Sequence, residues 1–138
     1  MTGVSVLVFT RAPTPGAAKT RLIPALGADG AARLHACLTE QALAEAAASR
    51  PAALQLWQAG PDDDGFLGRL AERFGAELHR QRGEDLGRRM QHALNRATRN
   101  GQPALIMGTD CPELDASAIA RAARRLREHD AVLGPACD

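Results

Sequence analysis

Two apolar runs of strand length constrain the fold more than any other feature of the chain. They are "VSVLVF", Val4 to Phe9, and "PALIM", Pro103 to Met107. Neither alternates polar with apolar residues, so neither can rest with one face in water. Each reads as a parallel strand covered on both faces, and parallel strands need crossovers between them. The intervening sequence supplies these. Asp29 is positioned to cap an alanine-rich helix reaching about Ser49, with Leu34, Cys37, Leu38 and Ala42 on its inner stripe. A second strand is predicted over Ala53 to Gln58. A helix carrying Phe66, Leu70 and Phe74 follows and stops at Gly75. A short strand at Glu77 to Arg80 precedes a helix begun by Asp85, with Leu86, Met90, Ala93, Leu94 and Ala97 inward and Asn100-Gly101 as its stop. Asp115 caps a last helix with Ile119, Ala122, Ala123 and Leu126 inward, and "AVLG", Ala131 to Gly134, reads as a closing strand. This alternation predicts an α/β layered fold with a mostly parallel sheet, in one domain over residues 1–138.

Composition narrows the functions. Net charge is +1 and only 3% of residues are aromatic. No general field draws the chain to nucleic acid or an anionic membrane, and stacking residues for a single strand are lacking. No run is long enough for a spanning helix. The odd set Cys37, Cys111 and Cys137 suits a reducing compartment, so a cytoplasmic protein is expected. Cys111 reads as a plain buried cysteine. The four histidines, His35, His79, His92 and His129, show no ligand spacing.

In such sheets, ligands sit beyond the C-terminal strand ends. After Phe9 the loop "TRAPTPGAAKTRL" holds Arg11, Gly16, Arg21 and Lys19, the chain's one lysine beside sixteen arginines. Glycine admits close backbone approach and fixed cations match phosphate oxygens, so an anion site is favoured there over a solvated loop. The spacing is neither a P-loop nor G-x-G-x-x-G. "QRGEDLGRRM", Gln81 to Met90, offers Gly83 for a tight turn and Asp85 as a cap, with Arg88 and Arg89 in the first helical turn. These arginines read either as solvated charge or as partners of an anion at the helix N-terminus. "IMGTDCPEL" ends a buried strand on Asp110, where a carboxylate could ligate a hard cation or simply close a turn.

"FTRAPTPGAAKTRLIPALG", "GEDLGRRM", "GTDCPEL" and "VLGPACD" together resemble the four motif blocks of a bacterial glycosyltransferase-like family, formerly domain of unknown function 2064. That family belongs to the nucleotide-diphospho-sugar transferase superfamily and is related to guanylyltransferases of molybdopterin and deazaflavin cofactor synthesis. The resemblance implies a Rossmann-like three-layer sandwich of GT-A type, binding a nucleotide or nucleotide-sugar with Mg²⁺ or Mn²⁺. It implies a transferase, glycosyl or nucleotidyl, acting on a small-molecule acceptor. Lys19 and Arg21 would match the phosphate-binding cations, and Asp110 the metal-binding aspartate. Gln81, Gly83 and Asp85 would match a loop lining the nucleotide pocket. Arg11, Gly16, Thr20 and Gly108 join them as nucleotide-site candidates. Lys19 and Asp110 are the catalytic candidates, with Asp138 a second metal ligand. The family pattern continues past that aspartate into a Gly-Gly-aromatic run, whereas this sequence stops at Asp138, so a missing C-terminal part is expected. A non-catalytic nucleotide-binding or assembly module, and a homo-oligomer, stay open as alternatives.

Overall fold

The computed structural model describes residues 3–134. Four strands, β1 (Ser5–Arg11), β2 (Ala53–Ala59), β3 (Glu77–Arg80) and β4 (Ala104–Met107), form one sheet in the order β3-β2-β1-β4. Every pairing is parallel. The helices are α1 (Ile23–Ala48), α2 (Phe66–Phe74), α3 (Leu86–Ala97) and α4 (Ala116–Leu126).

Alternate residues of the buried strands serve two helical layers, as a period of two requires. Val6, Val8, Leu54, Leu56 and Met107 pack in one cluster with Leu43 of α1, Leu70 of α2 and Ile119 of α4. On the other face Leu7 and Trp57 pack with Ala93 of α3. The two all-apolar runs are thus explained: β1 and β4 have helices on both sides.

Helix boundaries follow local chemistry. Asp85 and Asp115 cap α3 and α4, each accepting a backbone N–H three residues on at 2.8 Å. Asp62 accepts from Leu67 N and Gly68 N at the start of α2, and Gly75, at φ 67°, ends it.

Four expectations need correction. Helix α1 begins at Ile23, with a proline in its first turn, and breaks at Gly27 (φ 75°, ψ 165°), so Asp29 lies inside it rather than capping it. Its buried stripe is Ala31, Ala32, His35, Thr39, Ala42, Leu43 and Ala46, while Leu34 and Cys37 are exposed and Leu38 is half-buried. On α3, Leu86 is 63% exposed because it faces the open crevice at the strand ends rather than the core. Residues 131–134 form no strand. Asp138 and Cys137 lie outside the described residues.

Chain order places the site. From β1 the chain steps outward through β2 to β3, and then crosses over α3 to return on the other side of β1. The order reverses between β1 and β4, and at such a switch point the flanking loops diverge and leave a crevice.

Candidate nucleotide site

A crevice of about 1000 Å³ opens there. The end of β1 and the loop after it contribute Arg11, Lys19, Thr20 and Arg21; the β3 loop and α3 contribute Gln81 and Arg89; the β4 loop contributes Gly108 and Asp110. Among the described residues four cations thus face one carboxylate, although the chain as a whole carries only +1. The electrostatics favour a multiply charged anion.

Lys19 is fixed from behind. It adopts φ 52°, ψ 46°, a left-handed conformation costly for a residue with a Cβ. The turn is closed by Leu22 N donating to the Lys19 carbonyl at 2.9 Å. Its ammonium pairs with Asp110 Oδ1, joining the β1 loop to the β4 loop. The two side chains differ in access: Lys19 is 13% exposed and Asp110 78%. Helix α1 steadies the β4 loop, since Gln41 Nε2 donates to the Pro112 carbonyl and Glu45 Oε2 accepts from Ala116 N at 2.7 Å.

Gln81 ties three strand ends together. Its backbone N donates to Gln58 O at 2.9 Å, and its Nε2 reaches Trp57 O at 2.9 Å and Thr10 O at 3.4 Å. With the amide nitrogen so engaged, Oε1 is the atom left to accept from a ligand.

Gly16, Gly83 and Asp85 do not line the crevice, in contrast to the other sequence candidates among the described residues. Gly83 and Asp85 shape its wall instead. Asp85 Oδ1 caps α3, and the Gly83 carbonyl accepts from Arg89 Nε at 3.0 Å, turning that guanidinium along the rim. Arg89 therefore belongs to the crevice, whereas Arg88 stays beside Asp85 at 3.9 Å. Cys111 is exposed, not buried, because it lies past the end of β4 on the loop.

His35 is the residue the sequence did not single out. It sits on α1 at the floor of the crevice, which it helps to line, 6% exposed, with Nε2 2.8 Å from Arg11 O and 3.2 Å from Thr10 Oγ1. A carbonyl only accepts, so Nε2 carries the proton, leaving Nδ1 a buried lone pair with no partner. Burial pushes this imidazole below its ordinary 6.5; the Arg11 carbonyl opposes that, and the Lys19 charge adds to it. The signal was its place on one stripe with Thr39 and Leu43.

Among the described residues no group of three or more His, Cys, Asp or Glu could hold a metal ion, and no helix is long and apolar enough to cross a membrane.

Residues 42–138 match the family described as "Uncharacterized protein conserved in bacteria (DUF2064)", which is more than half of the chain. The chain belongs to this family. Among solved structures it is similar to a protein of Desulfovibrio desulfuricans G20 that carries a provisional assignment as a nucleotide-diphospho-sugar transferase, with 29% identity and a TM-score of 0.79. The match covers 92% of this chain and 55% of that one. No curated protein matches the sequence. The fold of this DUF2064 member is thus of the nucleotide-diphospho-sugar transferase type, with the strand order and switch point described above.

Proposed function

We propose that this chain binds a nucleotide or nucleotide-sugar in the crevice between β1 and β4 and serves as a metal-dependent transferase. One observation carries the reading: the cationic β1 loop and the exposed Asp110 carboxylate meet at the switch point. Lys19, Arg11 and Arg21 would hold the diphosphate. Arg89 closes over it from α3, and Gln81 Oε1 would accept a hydrogen bond from the base or sugar.

The donor set has room for a hard cation, but only of one kind. A single exposed carboxylate makes no all-protein cage, yet Mg²⁺ and Mn²⁺ sites often use one or two carboxylates together with substrate phosphates and waters. Asp110 would hold such an ion. Bound there, the ion would polarise the diphosphate for departure. The chain's own part is electrostatic: fixed cations stabilise charge growing on the leaving diphosphate or pyrophosphate, with no covalent intermediate required.

Glycosyl and nucleotidyl transfer use this machinery alike and differ in the atom attacked. A binding module without turnover is the second reading. It is favoured by the absence, among the described crevice residues, of an accessible unpaired general base, since the Asp110 carboxylate is paired with Lys19 and the free lone pair of His35 Nδ1 is buried. A thermal-shift panel of nucleoside triphosphates and sugar nucleotides, each with Mn²⁺ and with EDTA, tests the proposal. The matching donor should raise the melting temperature in Mn²⁺. Release of pyrophosphate or nucleoside diphosphate then identifies the reaction. No shift with any donor at millimolar concentration rejects the reading; binding without release supports the module.

A further inference from the structure

Among the described residues, the one lysine and the one carboxylate of the crevice neutralise each other, 91 positions apart in sequence. Among the described residues, Arg11, Arg21 and Arg89 pair with no carboxylate. The crevice therefore holds three cations open to an anion and a fourth already occupied. The arms of the pair come from opposite sides of the switch point, so the contact spans the opening that a ligand must enter. Lys19 is held in a left-handed turn with its side chain largely covered, whereas Asp110 is mostly exposed. The carboxylate is the partner freer to turn away.

We propose that this pair is a stand-in for the ligand, and that binding proceeds by exchange of partners. The inference rests on reading the crevice as a nucleoside-diphosphate site and concerns how that site selects its ligand. A diphosphate arriving alone must displace Asp110 from Lys19 and then lie beside a carboxylate stripped of its counter-charge. A divalent cation arriving alone must displace Lys19 from Asp110 and then lie beside an ammonium. A metal–diphosphate complex avoids both conflicts: the carboxylate turns to the cation and the ammonium to a phosphate oxygen. The site thus rejects each component and accepts the complex. The pair makes metal and diphosphate binding cooperative, and by linkage the cooperativity is the same whichever binds first.

The consequence runs against intuition for a ligand residue: without metal, removing Asp110 strengthens diphosphate binding. Inorganic pyrophosphate, GDP and UDP are titrated calorimetrically into the wild type, Asp110→Asn, Lys19→Met and the double variant, in EDTA and in Mn²⁺. In EDTA, Asp110→Asn should bind pyrophosphate about twofold to fivefold more tightly than the wild type, the size expected for one partly exposed ion pair. Mn²⁺ should strengthen wild-type binding and leave Asp110→Asn unchanged. Loss of a negative charge alone would favour any anion, so the Lys19→Met background decides. Exchange requires the gain from Asp110→Asn to be smaller there, because no pair is left to break; an equal gain in both backgrounds overturns the proposal. So does an Asp110→Asn variant that binds pyrophosphate in EDTA no better than the wild type. Wild-type binding of pyrophosphate but of neither nucleotide would instead reject the nucleotide reading and leave the exchange standing. Binding of none of the three rejects both. Melting temperatures of all four proteins confirm that folded species are compared, and Asp110→Ala replaces Asp110→Asn if the latter melts low.

Discussion

His35 Nε2 donates to the main-chain carbonyl of Arg11 across 2.8 Å, fastening α1 to the last residue of β1. Thr10 Oγ1 lies between them and Thr39, 3.2 Å from the imidazole and 3.3 Å from the second hydroxyl. This buried polar cluster forms the floor from which the β1 loop departs.

The cluster makes stability depend on pH with a defined sign. Burial depresses the His35 pKa below 6.5, so between the folded value and 6.5 the unfolded chain binds more protons. The stabilising contribution is complete above 6.5 and fades as pH falls toward the folded value. Melting curves from about pH 8 to pH 5 should fall more steeply for the wild type than for His35→Gln, which keeps a donor but cannot titrate. Parallel curves would remove His35 as the titrating group.

At Lys19 fold and binding can be separated. Lys19→Ala and Lys19→Gly both lose the ammonium, and each should weaken diphosphate binding by about 1.5–3 kcal/mol, roughly ten- to a hundredfold. Their stabilities should differ. The left-handed φ of 52° suits glycine and costs alanine about 1 kcal/mol, so Lys19→Gly should melt a few degrees above Lys19→Ala. Equal binding loss with unequal melting temperatures is the expected signature. Unchanged affinity in either folded variant would take Lys19 out of the site.

The strands were legible because "VSVLVF" and "ALIM" lack any polar alternation, and their burial on two faces follows from that alone. Asp85, Gly75 and Asp115 marked helix ends because capping chemistry is local. The stripe of α1 was misread for a physical reason: alanine surrounds the helix, so no side stands out, and Leu34 looked more like core than Thr39. Buried His35 and Thr39 are linked through Thr10 Oγ1, a contact no pattern of hydrophobicity reveals. Lys19 and Asp110 were each visible as candidates. Their pairing was not, because it depends on β4 returning to the far side of β1. Arg89 entered the crevice by way of the Gly83 carbonyl, again a contact of folded geometry.

Strand β4 makes a prediction about association. Among the described residues it is bonded on one side only, to β1, and its apolar Ala104, Leu105 and Ile106 are only half-buried. An open apolar edge recruits partners. Sedimentation velocity across about a hundredfold concentration range should show a sedimentation coefficient that rises with concentration. A version of the chain carrying further strands beside β4 should show less of this. A concentration-independent monomer would count against the edge as an association surface.

Two glycines of the candidate site should respond in opposite ways to the same change. At Gly83, φ is 144° and a Cβ would lie 2.8 Å from Arg89 N and 2.9 Å from the Arg88 carbonyl carbon. Both obstacles are main-chain atoms of the first turn of α3, held by the Asp85 cap, so they cannot step aside cheaply. Gly83→Ala should cost about 1–3 kcal/mol of stability. It should also weaken nucleotide binding, because the Gly83 carbonyl that orients Arg89 moves with the turn. At Gly108 a Cβ would meet nothing within 4 Å, yet the residue lines the crevice beside Asp110. Gly108→Ala should therefore melt like the wild type while its new methyl intrudes on the ligand. Melting temperature and nucleotide titration on the two variants separate a wall-building glycine from a ligand-facing one. A Gly108→Ala protein with lowered melting temperature and full affinity would reverse that assignment.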